Sequence, residues 1–466
     1  MGVGWAVDDR TSQFLETFQA FLDEVVAERR RRKSDRPGLV SVLQEHLGAD
    51  PRALSVVTEE VPAHRYVDLD VALEEVQRHG ESQQMLGVGG GQQRRHHSLS
   101  EILEAAGHYG QFPIAAVDYV NLATGPDTTR QAISFGLRLF TVGTVPVAVL
   151  QRTADPRYGV PVAQMEVLTP VAGVAADLIA TVHRLMSERS VLRRQVISLG
   201  VSSYAPGVGG ITFHRRPALT STEIVLPGGI LDRVQRHVAG VAYHRDRLHA
   251  SGQHLKRGVL LHGPPGTGKT HTVRFLLGAL PELTVILLAG PSIRFVAEAA
   301  HMARALAPAL VVLEDCDLVA ESRDHYPGAQ PLLFEVLETL DGLSDDVDVA
   351  FLFTTNRVEV LEPALAQRPG RVDLAVEVPL PDEAARRSLI ALYARNLPFT
   401  AAVLDRAATR TMGTTASFAK ELVRRAVVNA ADAGHDTSDV DLDEALTEML
   451  SEAEALSRSL LGASVE

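Results

Sequence analysis

One eight-residue stretch limits what this chain can fold into more than any other. Gly263–Thr270 reads Gly-Pro-Pro-Gly-Thr-Gly-Lys-Thr and fits the pattern G-x-x-x-x-G-K-[ST]. The apolar segment Gly258–Leu261 predicts a buried strand directly before it, and Thr270–Leu277 predicts a helix directly after it. In such a strand–turn–helix unit, backbone amides and the helix N-terminus face an anion. The sequence therefore predicts an α/β fold that binds phosphate groups at this turn.

The residues of this phosphate loop have distinct expected roles. The glycines let the backbone approach the phosphates closely, Lys269 reaches the β and γ phosphates, and the Thr270 hydroxyl binds Mg²⁺. The predicted nucleotide-binding residues are Gly263, Pro264, Pro265, Gly266, Thr267, Gly268, Lys269, Thr270 and His271.

A second group of polar residues ends the apolar segment Leu310–Leu313, which runs into Glu314, Asp315, Cys316 and Asp317. A phosphate site needs carboxylates at the carboxyl end of such a strand, one for hydrated Mg²⁺ and one to polarise the attacking water. We assign Glu314 to the metal and Asp315 to the water. A register shifted by one residue would instead put Asp315 on the metal and Cys316 in the position of the base.

Asn356 ends the next apolar segment, Phe351–Thr355. An amide at this place can orient the attacking water or report the γ phosphate through a hydrogen bond. From this segment alone, Asn356 fits equally well as a turn residue.

Apolar segments alternate with helical patterns throughout the second half of the chain, which is typical of a parallel sheet covered on both faces. The predicted strands are Gly258–Leu261, Thr284–Leu288, Leu310–Leu313, Ala350–Thr354 and Leu374–Val378. From Asp382 onward the pattern is helical. We therefore predict a large α/β subdomain over 223–380 and a helical lid over 381–466.

The first half of the chain has a different pattern. We predict a mainly helical module over 1–86, a glycine-rich linker over 87–98, an α/β module over 99–204, and a second linker over 205–222. The basic run Arg29–Lys33 is interpreted as a solvated helix end.

Composition bounds the class of protein. With a net charge of −13, a broadly basic surface that grips nucleic acid is not expected. Cys316 is the only cysteine, which excludes an intramolecular disulfide. No apolar run reaches the roughly 18 residues needed to cross a bilayer. We expect a cytoplasmic protein without a membrane segment.

Taken together, these motifs resemble the AAA clade of AAA+ ATPases, the group of the proteasomal ATPases, katanin and FtsH. Besides the phosphate loop and the acidic pair, the resemblance is carried by Leu333–Gly342, Phe353–Arg357, Leu361–Leu365 and Arg368–Asp373. These segments are similar to the clade's second region of homology nearly end to end. The resemblance covers about residues 223–460 and implies a single AAA module that hydrolyses ATP with Mg²⁺.

The resemblance also implies roles that spacing alone does not give. It implies a ring, usually a hexamer, in which each ATP lies at a subunit boundary. Arg368 and Arg371 match the arginine fingers that enter the neighbouring site and offset transition-state charge. Asn356 matches the sensor 1 position, and Thr414–Leu422 falls where the sensor 2 helix begins.

Three departures from the clade bear on function. The acidic pair is reversed to Glu314-Asp315, an order also seen in the mitochondrial AAA translocase of the Rieske protein. The segment Ala289–Val296 is shorter than the clade's pore loop and lacks its aromatic-hydrophobic-glycine step. The sensor 2 turn is altered, so that Lys420 fits either a sensor or a solvated helix residue.

Three functions follow as hypotheses. The first is a homo-oligomeric ATPase ring that remodels or disassembles a protein client recognised by the N-terminal modules. The second is an ATP-gated assembly switch without polypeptide threading, which substitutions of Ile293, Arg294 and Phe295 would separate from the first. The third is a nucleic-acid motor, which DNA- or RNA-stimulated hydrolysis would reveal. No His-Glu-x-x-His motif occurs, so an FtsH-like protease is not expected.

Overall fold

A computed structural model describes residues 38–81, 83–155, 160, 162–201, 208–317, 347–358 and 372–460, together with Thr17 and Phe21. The chain divides into two compact units. The first comprises Met1–Asn121 and Gln131–Met186, and the second comprises Leu122–Arg130 and Ser187–Glu466.

The first unit is built on a seven-stranded sheet of order β1-β7-β6-β5-β2-β3, with β4 paired to β5. Its helices pack apolar side chains such as Leu43, Leu99 and Ile102 against that sheet. Its elements are α1 Leu39–Leu47, β1 Val56–Val61, α2 Tyr66–Arg78, β2 Gln83–Val88, α3 Leu99–Tyr109, β3 Ile114–Ala115, β4 Asp118–Ala123, β5 Thr129–Val142, β6 Val145–Arg152, β7 Ala163–Leu168 and α4 Val174–Glu188.

This sheet differs from the predicted pair of modules joined by a linker over 87–98. Strand β1, from the region predicted as helical, pairs antiparallel with β7, from the predicted α/β module. Strand β2, which enters the predicted linker, pairs antiparallel with β5. Pairing between residues so far apart in sequence leaves no trace in the local pattern, so one sheet looks like two modules.

Two arginines hold the glycine-rich segment against the sheet. The guanidinium groups of Arg94 and Arg95 lie over the Phe135 ring, at 5.3 and 5.6 Å from its centroid. Arg95 Nη2 also donates to Ser134 Oγ at 3.0 Å, and Arg152 Nη1 donates to Arg95 O at 3.0 Å. These contacts explain why Gln92–His96 is a short 3-10 helix instead of an extended linker.

The second unit has a seven-stranded sheet of order β14-β10-β13-β12-β11-β8-β9. All of its pairs are parallel except β8–β9. The strands are β8 Val196–Val201, β9 Val208–His214, β10 Arg257–His262, β11 Thr284–Ala289, β12 Ala309–Glu314, β13 Val349–Thr355 and β14 Leu374–Glu377. Strands β10 to β14 match the predicted ones to within two residues at each end.

Strands β8 and β9 extend this sheet beyond the predicted large subdomain. Val208–His214 was predicted as part of a linker because of its glycines, yet it pairs with Val196–Val201, whose first residues pair with β11. Arg216, directly after β9, donates to Leu280 O at 3.1 Å and Leu283 O at 2.6 Å. The sheet of the second unit therefore begins before residue 205.

Helices cover both faces of this sheet and form the region after it. They are α5 Ile230–Tyr243, α6 Arg245–Ala250, α7 Lys269–Ala279, α8 Val296–Ala305, α9 Glu383–Tyr393, α10 Ala401–Arg410, α11 Ala416–Ala433 and α12 Asp439–Leu460. Helices α9 to α12 share an apolar core of their own, which includes Ile390, Leu422 and Leu446. Among the described helices, none is long and apolar enough to span a membrane.

Candidate phosphate-binding site

The phosphate loop joins β10 to α7 at the carboxyl edge of the parallel sheet. Its three glycines have positive φ angles, 144° at Gly263, 76° at Gly266 and 111° at Gly268. A Cβ atom at Gly263 would lie 2.2 Å from Val378 O. A side chain is therefore excluded at Gly263 by space as well as by backbone conformation.

Lys269 is the first residue of α7, and only 6% of its surface is exposed. Its Nζ donates to Gly263 O at 2.7 Å and to Pro264 O at 2.9 Å. Burial lowers the pKa of Lys269, while the charges of Asp315 and Asp317 oppose that shift. The ammonium group thus lies inside the loop, within the field of the acidic strand end.

The acidic pair lies at the end of β12, which pairs with β11 and β13 in the sheet. Asp315 has a φ of 54°, and its amide donates to Thr354 Oγ1 on β13 at 3.0 Å. Its side chain lines the cleft beside the phosphate loop. Burial, with the neighbouring Asp315 charge, raises the pKa of the half-buried Glu314 carboxyl.

Cys316 has a different environment from the acids around it. It is buried, its Sγ donates to Leu313 O at 3.4 Å, and burial raises its pKa to about 12. A thiol with that pKa stays protonated at neutral pH. This disfavours the shifted register, in which Cys316 would be the base.

Asn356 follows β13 and lines the same cleft. The buried Asp317 fixes this turn, because its Oδ1 accepts from Thr355 Oγ1 at 3.1 Å and from the Asn356 amide at 3.3 Å. The sequence analysis names Asp317 only as the last residue of the acidic segment and predicts no role for it. In the structure it ties the end of β12 to the residue at the sensor 1 position.

The cleft has a volume of about 500 Å³. The structure brings together most of the predicted residues along its walls, namely Pro265, Gly266, Thr267, Gly268, Lys269, Thr270, His271, Asp315 and Asn356. Glu314 is not among the lining residues. Burial lowers the pKa of His271, which favours the neutral imidazole.

The sequence analysis did not predict several of the residues that line this cleft. They are Glu223, Ile224, Val225, Leu226, Arg274, Leu389 and Tyr393. Ala416, Ser417 and Lys420 also line the cleft and fall in the segment matched to the sensor 2 helix. Arg274 had a usable signal, since it lies four residues after Thr270 and so on the same face of α7. Ile224–Leu226, at the start of the predicted large subdomain, had none, because a short apolar segment before α5 does not indicate contact with a cleft.

Arg368 and Arg371 lie outside the described residues, and their role stays a prediction. The segment expected at the position of the pore loop is described: Gly290–Phe295 is a 3-10 helix after β11. Ile293 is 2% exposed and Phe295 4% exposed, both within the core of the sheet. Arg294 is the exposed residue between them.

The donor atoms at this site suit a magnesium–nucleotide complex. The Thr270 hydroxyl lines the cleft and offers an oxygen ligand of the kind that Mg²⁺ prefers, as does the Glu314 carboxylate at the end of β12. Within the described part of the chain, no three or more His, Cys, Asp or Glu side chains form a group that could hold a metal ion. Mg²⁺ is commonly held by one or two protein oxygens together with substrate phosphates, which fits these residues.

Comparison with known families agrees with this geometry. The model of the ATPase family associated with various cellular activities (AAA) matches residues 259–380, which hold the phosphate loop, the acidic pair and Asn356. Residues 259–380 of this chain are therefore an AAA domain of the AAA+ superfamily. The matched domain has the α/β fold of P-loop nucleotide-binding proteins.

Among curated relatives, FtsH 2, an ATP-dependent zinc metalloprotease of Sphaerobacter thermophilus, is 35% identical over 47% of the chain and 36% of its own length. FtsH 3 of the same organism is 30% identical over 58% of the chain and 60% of its length. The 26S protease regulatory subunit 6A of Caenorhabditis elegans is 32% identical over 42% and 48%. The chain thus spans 36% to 60% of the length of these relatives.

Proposed function

We propose that this chain hydrolyses ATP to ADP and phosphate in the cleft between the phosphate loop and α11. The observation that carries the proposal is the convergence of Lys269, Asp315 and Asn356 on one cleft behind three positive-φ glycines. The Thr270 hydroxyl and the Glu314 carboxylate would hold Mg²⁺, which would offset the negative charge of the phosphates.

The residues of the cleft then have distinct roles in the reaction. Loop amides and Lys269 hold the phosphates, which requires Lys269 Nζ to exchange Gly263 O and Pro264 O for phosphate oxygens. Asp315 takes the proton of the attacking water. Asn356, fixed by Asp317, orients that water.

We further propose that the active form is a ring, commonly a hexamer in this superfamily, in which Arg368 and Arg371 complete the site of the neighbouring subunit. Arg371→Ala should leave ATP binding nearly intact and remove turnover. Mixing wild-type chains with Arg371→Ala chains tests the shared site. Activity should fall by more than the fraction of mutant chains, and a strictly proportional fall would contradict a shared site.

The client of such a ring is proposed to be a protein. The printed names of the relatives, ATP-dependent proteases and proteasome regulatory subunits, point to ATP-driven action on proteins. The net charge of −13 disfavours nucleic acid as the alternative client. A cytoplasmic location is proposed on the same grounds.

A second function, an ATP-gated assembly switch, is favoured by one observation. Ile293 and Phe295, at the position where a pore loop would contact a threaded client, are buried in the core. A switch would use ATP to control assembly without pulling on a polypeptide.

Trapping separates these functions. Full-length Asp315→Asn chains, loaded with ATP, should retain protein clients that Lys269→Ala chains do not retain. Clients identified by mass spectrometry are then incubated with wild-type chain and ATP. Loss of client structure or of client complexes supports the remodelling ring. ATP-dependent assembly with unchanged clients supports the switch, and recovery of DNA or RNA in place of protein contradicts both.

A further inference from the structure

The first turn of helix α11 contacts the phosphate loop directly. The Ser417 amide donates to Gly266 O at 3.0 Å, and the Ser417 hydroxyl donates to the same oxygen at 3.3 Å. Thr415 caps the helix through its side chain, which accepts from the Phe418 amide. Because Ser417 is the second helical residue, its amide has no acceptor within the helix. It is therefore available to the loop.

This contact completes a set of donors to the loop carbonyls. Gly263 O and Pro264 O accept from Lys269 Nζ, and Pro264 O also accepts from Thr267 Oγ1 at 2.9 Å. Gly266 O accepts from Ser417. Of these donors, Ser417 is the one that comes from outside the loop and its helix.

The orientation of one peptide unit depends on this bond. In a planar trans peptide, the carbonyl of one residue and the amide of the next point in opposite directions. Holding Gly266 O toward Ser417 therefore directs the Thr267 amide away from it, into the loop. An amide in that position faces a bound phosphate.

The close approach also depends on glycine. A Cβ atom at Gly266, where φ is 76°, would lie 3.0 Å from Thr415 Oγ1 and 3.1 Å from Ser417 Oγ. The helix thus contacts the loop at a point where a side chain would separate the two.

We propose that Ser417 is a positioning residue for the phosphate loop, which makes phosphate binding depend on docking of α11. The proposal rests on the proposed function, in that the loop binds ATP. It assigns a role to the altered sensor 2 turn that does not require Lys420.

Other contacts keep the helical region attached when Ser417 is changed. Arg395 Nη1 lies 3.1 Å from Glu223 Oε1. Val225 packs against the apolar core that α9 to α12 share. A Ser417 variant therefore removes the bond to the loop without removing the rest of the interface.

Ser417→Pro removes both donors and is compatible with the helix, since proline is tolerated in the first helical turn. Ala384→Pro is the matched control, because Ala384 is the exposed second residue of α9 and is not part of the cleft. Ser417→Thr keeps both donors and should behave like wild type. Ser417→Ala keeps the amide and should have an intermediate effect.

The measurement compares ligands with and without phosphates on the full chain. Affinities for ATP and ADP are measured by titration calorimetry, and adenosine is measured by competition. Ser417→Pro should weaken ATP and ADP roughly five- to tenfold, the effect of one or two hydrogen bonds. Adenosine affinity should not change, because adenosine carries no phosphate for the loop to bind.

The outcomes separate this inference from the proposed function. If wild type binds ATP and Ser417→Pro binds it as tightly as Ala384→Pro does, the inference is wrong and the proposed function stands. An equal loss for adenosine would show a displaced helix and would also overturn the inference. If Ser417→Pro fails to fold, Ser417→Ala decides, with a loss of roughly two- to threefold expected for ATP only. Wild-type chain that binds no ATP would overturn the proposed function itself.

Discussion

Two segments follow β10 and β11, which are consecutive along the chain but separated in the sheet by β13 and β12. They use the same edge of the sheet in opposite ways. After β10, Gly263–Gly268 turns with positive-φ glycines and directs polar groups into a cleft of about 500 Å³. After β11, Gly290–Phe295 forms one 3-10 segment and buries Ile293 and Phe295 in the core. Position at the carboxyl edge therefore does not decide function; the side chains do.

This comparison corrects one expectation from the sequence. From the sequence, Ile293, Arg294 and Phe295 are equal candidates for client contact. Burial makes substitution an unsuitable test of client contact for Ile293 and Phe295, which pack against Leu199 and other residues of the sheet core. Arg294 alone is exposed there.

Phe295→Ala should have the largest effect and should act on stability. Truncating a buried phenylalanine costs about 3–5 kcal/mol. Urea unfolding of the full chain, with Arg294→Ala as the control, measures it. A loss below about 1 kcal/mol would mean that Phe295 is not part of the core.

Lys269→Ala tests the other segment. Loss of a cation that binds phosphate should lower ATP affinity roughly 100-fold, or about 3 kcal/mol. Titration calorimetry measures it. Lys256 lies outside the cleft, so Lys256→Ala should bind ATP like wild type. Equal losses of ATP affinity in both variants would contradict a specific role of Lys269 in phosphate binding.

Asp317→Asn should have a smaller effect, on turnover alone. The carboxylate accepts from Thr355 Oγ1 and the Asn356 amide, and an amide accepts these bonds less strongly. Steady-state phosphate release should fall roughly tenfold at unchanged ATP affinity. A parallel loss of ATP affinity would indicate general damage to the strand end.

Arg294→Ala should have the smallest effect. If the protein is an assembly switch, no client contacts this segment. ATP turnover and the loss of client structure or of client complexes should then change less than twofold. Loss of client processing at unchanged ATP turnover would instead assign a pulling role to Arg294 and favour the remodelling ring.

The second half of the fold could be read from the sequence because its signals are local. Strands β10 to β14 are continuous apolar runs, and the phosphate loop is a single uninterrupted motif. The lining residues Asp315 and Asn356 follow from where β12 and β13 end, and Lys269 and Thr270 follow from the phosphate-loop motif.

The rest depends on contacts between distant residues. Strand β9 contains Gly209 and Gly210 and looks like a turn until it is paired with β8. Gln92–His96 looks like a linker until Arg94 and Arg95 are placed over Phe135. Ser417 lies more than 140 residues from Gly266 in sequence, and only the fold brings its amide to that carbonyl.

The most direct test of the account is ATP turnover by Asp315→Asn beside ATP binding by the same variant. If Asp315 accepts the proton of the attacking water, affinity should stay within about threefold of wild type while phosphate release falls at least roughly 100-fold. Phosphate release near the wild-type rate in Asp315→Asn would contradict the account.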